Sequence, residues 1–530
     1  MSTYDRSMAL TGQPPKKLNK GQKISALIGT VGLGIMLLAA FNVEFPNRAL
    51  WLFIALSSIM GGTIWYAKAS YGHKVKGIKN DGVWFKSLSN QGLMGWLAGI
   101  ALTGFYIILY FYPAYLGLVK DGPNNGVIAL FDPFSRLLSG NPASQWFVYG
   151  TLYTVAVLAF GIKFMWKYRH NRYELVRTGS VMFFQTAFAF LIPEFMARLN
   201  SDDFSLPYYN FTKMWPLDNY HFEGYRVKSL ITAGDVGLGL LIFGIASIFV
   251  ISPILTFKYG KRWYCSWVCG CGGLAETIGD PFRQLSDKSV KAWNIERWVV
   301  HSVVVFVTLM TTAVIYSYLG NDTSKYWLTK TTFLLSVGGL LTAVFAWVML
   351  FKRKQLQKDA QYGAIGYFVI IIALIGFHFL SGDGHIFLFK SGTLRKTYGF
   401  LIGSIFSGVI GTGFYPIFGN RVWCRFGCPM AAILGFQQKL FSKFRISTNG
   451  GQCISCGNCS TYCEMGIDVR AYAQKGENIV RSSCVGCGIC SAVCPRGVLK
   501  LENGPLEGRI DSNQVLLGND VDLMTLVNQK

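Results

Sequence analysis

Long apolar runs, separated by short polar and basic segments, dominate the chain from residue 24 to residue 418. Ten of them approach or exceed the roughly 20 residues that a helix needs to cross a bilayer. They cover 24–41, 49–67, 93–112, 146–166, 179–197, 233–255, 298–319, 333–351, 363–380 and 398–418. The fifth is the weakest, because Gln185, Pro193 and Glu194 interrupt it. Beyond residue 445 the pattern changes to short segments rich in Cys and Gly. The expected fold is therefore an all-α polytopic membrane protein of about ten transmembrane helices with a small C-terminal α+β domain. Five parts follow: a basic tail (1–23), N-terminal helices without a recognisable motif (24–232), a membrane core (233–445), the Cys-rich domain (446–501) and a C-terminal tail (502–530).

Charge supports this count. Lys and Arg total 50 against 27 Asp and Glu, a net charge of +23. The basic residues crowd alternate segments. These hold Lys16, Lys17, Lys20 and Lys23, then Lys68, Lys74, Lys76, Lys79 and Lys86, then Lys163, Lys167, Arg169, Arg172 and Arg177. The next two hold Lys258, Lys261, Arg262, Arg283, Lys288, Lys291 and Arg297, then Lys352, Arg353, Lys354 and Lys358. Positive loops lie inside, so both termini are expected in the cytoplasm of a bacterial inner-membrane protein. The same rule accounts for the net charge without nucleic acid as a partner. Residues 1–23, with Pro14 and Pro15, read as an unstructured tail and not as a cleaved signal peptide. Composition agrees: 51% of residues are hydrophobic and 15% charged, whereas soluble domains carry about 25% charged residues.

All 13 cysteines lie between Cys265 and Cys494, in three clusters. Tight Cys spacing of this kind suggests metal ligands kept reduced on a cytoplasmic face. Two runs follow residue 450: Cys453-x2-Cys456-x2-Cys459-x3-Cys463 and Cys484-x2-Cys487-x2-Cys490-x3-Cys494-Pro495. In two-cluster ferredoxins the fourth cysteine of such a run serves the other cluster. One [4Fe–4S] centre would use Cys453, Cys456, Cys459 and Cys494, and the other Cys484, Cys487, Cys490 and Cys463. Gly457, Gly486, Gly488, Ser491 and Ala492 leave room for backbone amides to approach the sulfurs. Structural zinc is the alternative, and it ordinarily takes two Cys-x2-Cys pairs. One departure stands in the first run, where Glu464 follows Cys463 in place of proline.

A second signal is a repeat. Tyr259-Gly-Lys-Arg-Trp-Tyr-Cys265-Ser-Trp-Val-Cys269 follows the sixth apolar run, and Phe418-Gly-Asn-Arg-Val-Trp-Cys424-Arg-Phe-Gly-Cys428-Pro429 ends the tenth. This internal duplication presents two thiol pairs where a helix meets the cytoplasmic face. Cys265, Cys269, Cys424 and Cys428 either hold a third Fe–S cluster, form redox disulfides, or are packing cysteines. Cys271, present in the first copy alone, is a substitute ligand or a bystander.

These motifs resemble the polyferredoxin-type membrane proteins of the nitrous oxide reductase regulator and periplasmic nitrate reductase quinol-oxidising families, over about residues 233–501. The resemblance implies electron transfer between a quinone pool or membrane redox complex and a cytoplasmic donor or acceptor protein. Related assembly-type membrane ferredoxins reduce metal ions, so the alternative is a redox-sensing or maturation subunit without sustained quinol turnover. The regulator branch carries an external flavin domain with a Ser-Gly-Ala-Thr motif. No such domain fits the outer loops, and Ser391-Gly392-Thr393-Leu394 lacks that order.

The remaining polar candidates are weaker. His301 and His378 sit at opposite ends of their spans, which argues against bis-histidine haem. Glu194 and Asp235 mark the outer ends of the fifth and sixth spans, where solvation or, with His378, a quinol site are the alternatives. Glu276 and Asp280 follow the first cysteine loop and either relay protons or cap a helix. Glycines such as Gly237 and Gly239 read as helix-packing surfaces.

Overall fold

A computed structural model describes residues 18–72, 90–200, 206–324, 326–381, 386–504, 516–517 and 521–522. Lys16, Lys17 and the basic loop with Lys74, Lys76, Lys79 and Lys86 lie outside these residues, as does most of the C-terminal tail. Among the described residues, nine helices are long and apolar enough to cross a membrane. They are α1 (Lys20–Ala40), α2 (Arg48–Tyr71), α3 (Leu93–Phe111), α5 (Gln145–Lys167), α6 (Arg172–Leu199), α8 (Gly234–Tyr259), α10 (Val290–Tyr318), α11 (Lys330–Lys352) and α12 (Lys358–Ser381). Large apolar side chains such as Leu27, Leu33, Phe53, Leu350 and Phe351 are exposed along them, as a surrounding hydrocarbon phase requires.

The interrupted fifth stretch is helical throughout. Residues Phe184–Leu191 form a widened π-helical segment, followed directly by Ile192 and Pro193. Ser247–Ile251 repeats the device before Pro253. A proline ring clashes with the carbonyl one turn earlier in a regular helix, and a widened turn relieves that clash.

The tenth stretch is helical as well, but it is not among the nine. Ser391–Tyr398 continues into the π-helical Gly399–Gly413, together α13, and the polar first turns with Arg395 and Lys396 lower its apolarity, while its second half is rich in small residues. Those small residues serve packing. A Cβ on Gly408 would lie 2.0 Å from the ring of Tyr106 on α3, and one on Gly413 would lie 2.0 Å from Thr103 Oγ1.

Two shorter helices occupy segments read as loops. Gly126–Ser139 (α4) buries Val127, Ile128, Leu130 and Phe131 in a core shared with α1, α2 and α5. Its 14 residues span only about 21 Å, too short to cross. Gly224–Thr232 (α7) lies between the fifth and sixth apolar runs. The membrane-face helices are Gly270–Thr277 (α9) and Pro429–Phe441 (α14).

The Cys-rich domain closes on itself through two antiparallel strands, β1 (Arg445–Thr448) and β2 (Leu499–Glu502), paired Arg445↔Glu502 to Thr448↔Leu499. They join the chain ends that flank both cysteine runs, and Ile446 adds a bridge to Ile479. The core of this domain is continuous with that of the repeat: Cys265, Cys269 and Cys428 share one buried cluster with Cys459, Cys484 and Cys490.

Gly408→Ala is expected to lower the thermal unfolding midpoint in detergent, at a cost of about 1–3 kcal/mol for overpacking. Gly403→Ala, on the same helix with nothing within 4 Å, should leave the midpoint unchanged. Equal midpoints for both variants would refute close α3–α13 contact.

Candidate iron–sulfur sites

The two cysteine runs fold as the same loop twice. Ser455 and Gly486 occupy equivalent positions with φ of 57° and 64°, and Gly457 and Gly488 follow with 80° and 90°. These left-handed residues turn the backbone so that amides face the sulfurs, a conformation that glycine adopts without strain. Each loop then enters a one-turn helix, Asn458–Thr461 or Ile489–Ala492.

The loops interleave. Cys453, Cys456 and Cys459 line one cavity with Cys494, and Cys484, Cys487 and Cys490 line another with Cys463. Their non-atom spaces are about 350 and 390 Å³, open solvent included. All 13 cysteines are free thiols. Among the described residues, no three Cys, His, Asp or Glu side chains converge as ligands of a single ion. A cubane differs in needing its thiolates spread around a volume.

The surroundings suit anionic sulfur. Burial pushes Cys459 up to about 12 and Cys484 up to about 11, since an unsolvated thiolate is costly. Backbone amides oppose this: those of Met465 and Ile467 at Cys463, and those of Arg496, Gly497 and Val498 at Cys494. Lys261 acts on Cys484 and Lys288 on Cys463 in the same sense. Four thiols around one space, met by amide donors and cations, fit a [4Fe–4S] core in each cavity.

The repeated segments are also matched in backbone detail. Gly260 and Gly419 share an unusual conformation, with φ 67° and 88° and extended ψ. Cys269 N donates to Tyr264 O at 2.8 Å, and Cys428 N to Trp423 O at 2.9 Å. Cys269 and Cys428 then head α9 and α14. Each copy supports the other. Gln438 of α14 accepts from Lys261 N at 2.8 Å, while Ser286, beyond α9, packs against Gly419. Cys265, Cys269, Cys424 and Cys428 are brought within electrostatic reach of one another. Arg421 Nη1 donates to Cys424 Sγ at 3.5 Å and to Cys265 O at 3.1 Å. The neighbouring Cys271 side chain holds the Cys269 thiol below the usual range.

A buried ionic network ties these loops together. Glu464 is 1% exposed. Its carboxylate accepts from Arg283 Nη1 at 2.5 Å, Arg421 Nε at 3.1 Å and Asn420 Nδ2 at 3.0 Å. Burial alone would raise its pKa, but Arg283 and Arg421 outweigh burial and hold it below the ordinary range. Arg421 also pairs with Glu276, which pairs with Arg177 of α6. Asp280 accepts from Lys163 and Lys167 of α5 at 2.7 and 2.5 Å, and from Arg283 Nε at 3.0 Å.

Burial adds to the charge pattern. Lys163, Lys167, Arg177 and Arg283, counted in the sequence among the basic residues of alternate segments, are no more than 1% exposed and paired inside. Glu276 and Asp280 are likewise locked in ion pairs. Acidic partners scattered over a hundred residues gave no local signal for this. His301 Nδ1 bonds to Arg297 O at 2.6 Å, and His378 Nε2 to Tyr316 Oη at 3.0 Å. Among the described contacts, His378 meets neither Glu194 nor Asp235.

The family described as a 4Fe–4S dicluster domain matches residues 445–495. The family described as a 4Fe–4S binding domain matches twice, over 241–289 and 399–447, the two copies of the repeat. YccM of Escherichia coli (strain K12), provisionally named an electron transport protein, is 25% identical over 226 residues. That similarity spans 42% of this chain and 47% of YccM. No solved structure matches. These matches, the cysteine geometry and the apolar helices support an iron–sulfur electron-transfer role in a membrane protein.

Glu464→Ala leaves Arg283 with Asp280 and Arg421 with Glu276 as their remaining carboxylates, and removing one partner from a buried ionic network costs up to about 3–5 kcal/mol. The expected result is a lower unfolding midpoint and faster proteolysis of the Cys-rich domain. Glu464→Gln, which keeps an acceptor oxygen, should lose less. Wild-type protease resistance in both variants would refute the seat described for Glu464.

Proposed function

We propose that the chain passes electrons between a cytoplasmic donor or acceptor protein and a quinone or partner redox protein in the bacterial cytoplasmic membrane. In this reading it has ten spans, both termini in the cytoplasm, and the kinship to the nitrous oxide reductase regulator and periplasmic nitrate reductase families that its motifs suggest. The observation that carries the proposal is the interleaving of the two cysteine runs around two cavities. Cys453, Cys456, Cys459 and Cys494 are the ligands of one [4Fe–4S] cluster, and Cys484, Cys487, Cys490 and Cys463 those of the other. When bound, such clusters supply one-electron carriers.

The chain's own residues do the rest. Amides and small residues of the loops stabilise anionic sulfur. Val485, Ile479 and Ile446, which line the second cavity and are all no more than 3% exposed, exclude water from it. Cys265, Cys269, Cys424 and Cys428 form a third thiol site where the helices meet the cytoplasmic face. The family match over both copies favours a cluster there over disulfides. Cys271 is a hydrogen-bond partner of Cys269 in this reading. The N-terminal helices act as a scaffold: α5 and α6 supply Lys163, Lys167 and Arg177 to the ion network.

Iron and acid-labile sulfide per anaerobically purified chain test this reading, with EPR of the reduced protein. Two cubanes give about eight irons, and an excess of about two to four, lost in Cys265→Ser/Cys424→Ser, marks the third site. Cys494→Ser should lose one ferredoxin signal and keep the other. Cys424→Ser should keep both ferredoxin signals and abolish quinone-linked turnover. An iron-free wild type would overturn the proposal.

A further inference from the structure

The two cysteine loops are equivalent in backbone and opposite in surroundings. In the second, Val485 is 1% exposed. Its carbonyl accepts from Ser266 Oγ at 2.9 Å, and that of Gly486 accepts from Tyr173 Oη at 2.8 Å. A Cβ on Gly486 would lie 2.7 Å from the Arg262 side chain. All of these partners come from the membrane-face segments, so this loop is a docked surface.

The equivalent residues of the first loop are Ile454 and Ser455. Ile454 is 53% exposed. Ser455 holds φ 57° where the second loop has glycine, and its hydroxyl accepts from Gln474 Nε2 at 2.7 Å. The charged side chains that line the adjoining cavity are Arg470 and Arg496, both basic, and among the described residues no carboxylate lines it. Arg470 is exposed, and Arg496 Nε has no hydrogen-bond partner among the described residues.

We propose that the Ile454 loop, rimmed by Arg470 and Arg496, is the docking face for an acidic, soluble one-electron carrier protein. The inference rests on the reading of Cys453, Cys456, Cys459 and Cys494 as cluster ligands. An external protein takes here the place that Ser266, Tyr173 and Arg262 take at the second loop. An apolar centre within a charged rim suits a small, transient interface. Tunnelling falls steeply with distance, and Cys453 and Cys456, on either side of the exposed Ile454 and Ser455, are themselves only partly buried. The basic rim selects an acidic partner and accelerates encounter. In each encounter one electron leaves the carrier's reduced cofactor and enters the chain, with no bond made or broken and no proton moved.

The test uses the full chain in detergent, anaerobic and cluster-loaded, with a photoreduced acidic flavodoxin as the probe. Stopped-flow traces give the second-order rate constant for its reduction of the protein. Raising the ionic strength should lower that constant at least tenfold. At low salt, Arg470→Glu/Arg496→Glu should lower it at least tenfold, and Ile454→Ser and Arg470→Gln several-fold. Direct photoreduction by neutral deazaflavin, which needs no docking, should proceed alike in the wild type, Ile454→Ser and Arg470→Gln, with unchanged iron content and EPR. A rate indifferent to salt and to these variants would overturn the proposal. So would a wild type that deazaflavin reduces and flavodoxin does not, or salt-dependent capture by anionic vesicles without reaction with flavodoxin. An iron-free wild type would instead overturn the underlying ligand assignment, so the two failures are distinguishable. Arg470→Gln, remote from the ligands in sequence, keeps the test decisive if the double variant loses iron.

Discussion

A carboxylate excluded from water persists only where its charge is met, and Glu464 is met by two guanidinium groups from different parts of the fold. Arg283 follows the first cysteine loop, and Arg421 belongs to the second copy of the repeat. Glu464 itself belongs to the Cys-rich domain. One side chain therefore joins the three cysteine clusters of the chain. Its neighbours extend the connection outward, through Arg421 to Glu276 and Arg177, and through Arg283 to Asp280, Lys163 and Lys167. The seating of the Cys-rich domain and the docking of α5 and α6 both depend on this network.

Buried ion pairs are weak sources of net stability, because desolvation offsets much of the attraction. Their value here is geometric. Apolar packing tolerates sliding and rotation, whereas a carboxylate shared among Arg283, Arg421 and Asn420 has one satisfactory position. That constraint holds Cys463, the neighbour of Glu464, in fixed relation to Arg421 and so to Cys424. It also places a carboxylate where the ordinary motif has a proline, which explains the departure without any change in the ligand set.

The fold uses duplication twice. The repeat builds two matched thiol loops whose following segments brace each other, Gln438 beneath Gly260 and Ser286 beneath Gly419. The two cysteine runs are likewise one loop in two copies. In that case the environments diverge, one copy sealed against the membrane face and the other turned to water. One docked loop and one exposed loop are the layout that the proposed electron path needs.

The sequence by itself determined the features that depend on local spacing. Apolar runs of bilayer length are imposed by the hydrocarbon thickness, so nine helices and a helical tenth segment were legible. Cys-x2-Cys-x2-Cys is set by the reach of one tight turn, so both cysteine runs and the repeat were legible as well. Tertiary structure alone decided which charges are buried and with whom. Lys163 and Asp280 are 117 residues apart, and Arg283 and Glu464 are 181 apart. No periodicity links positions at such distances; only chain packing brings them together. The same reason kept α4 hidden, since its apolar face has meaning only against α1, α2 and α5. It also kept the contrast between Val485 and Ile454 hidden: both are apolar residues in identical local contexts, and what covers them is decided by the rest of the molecule.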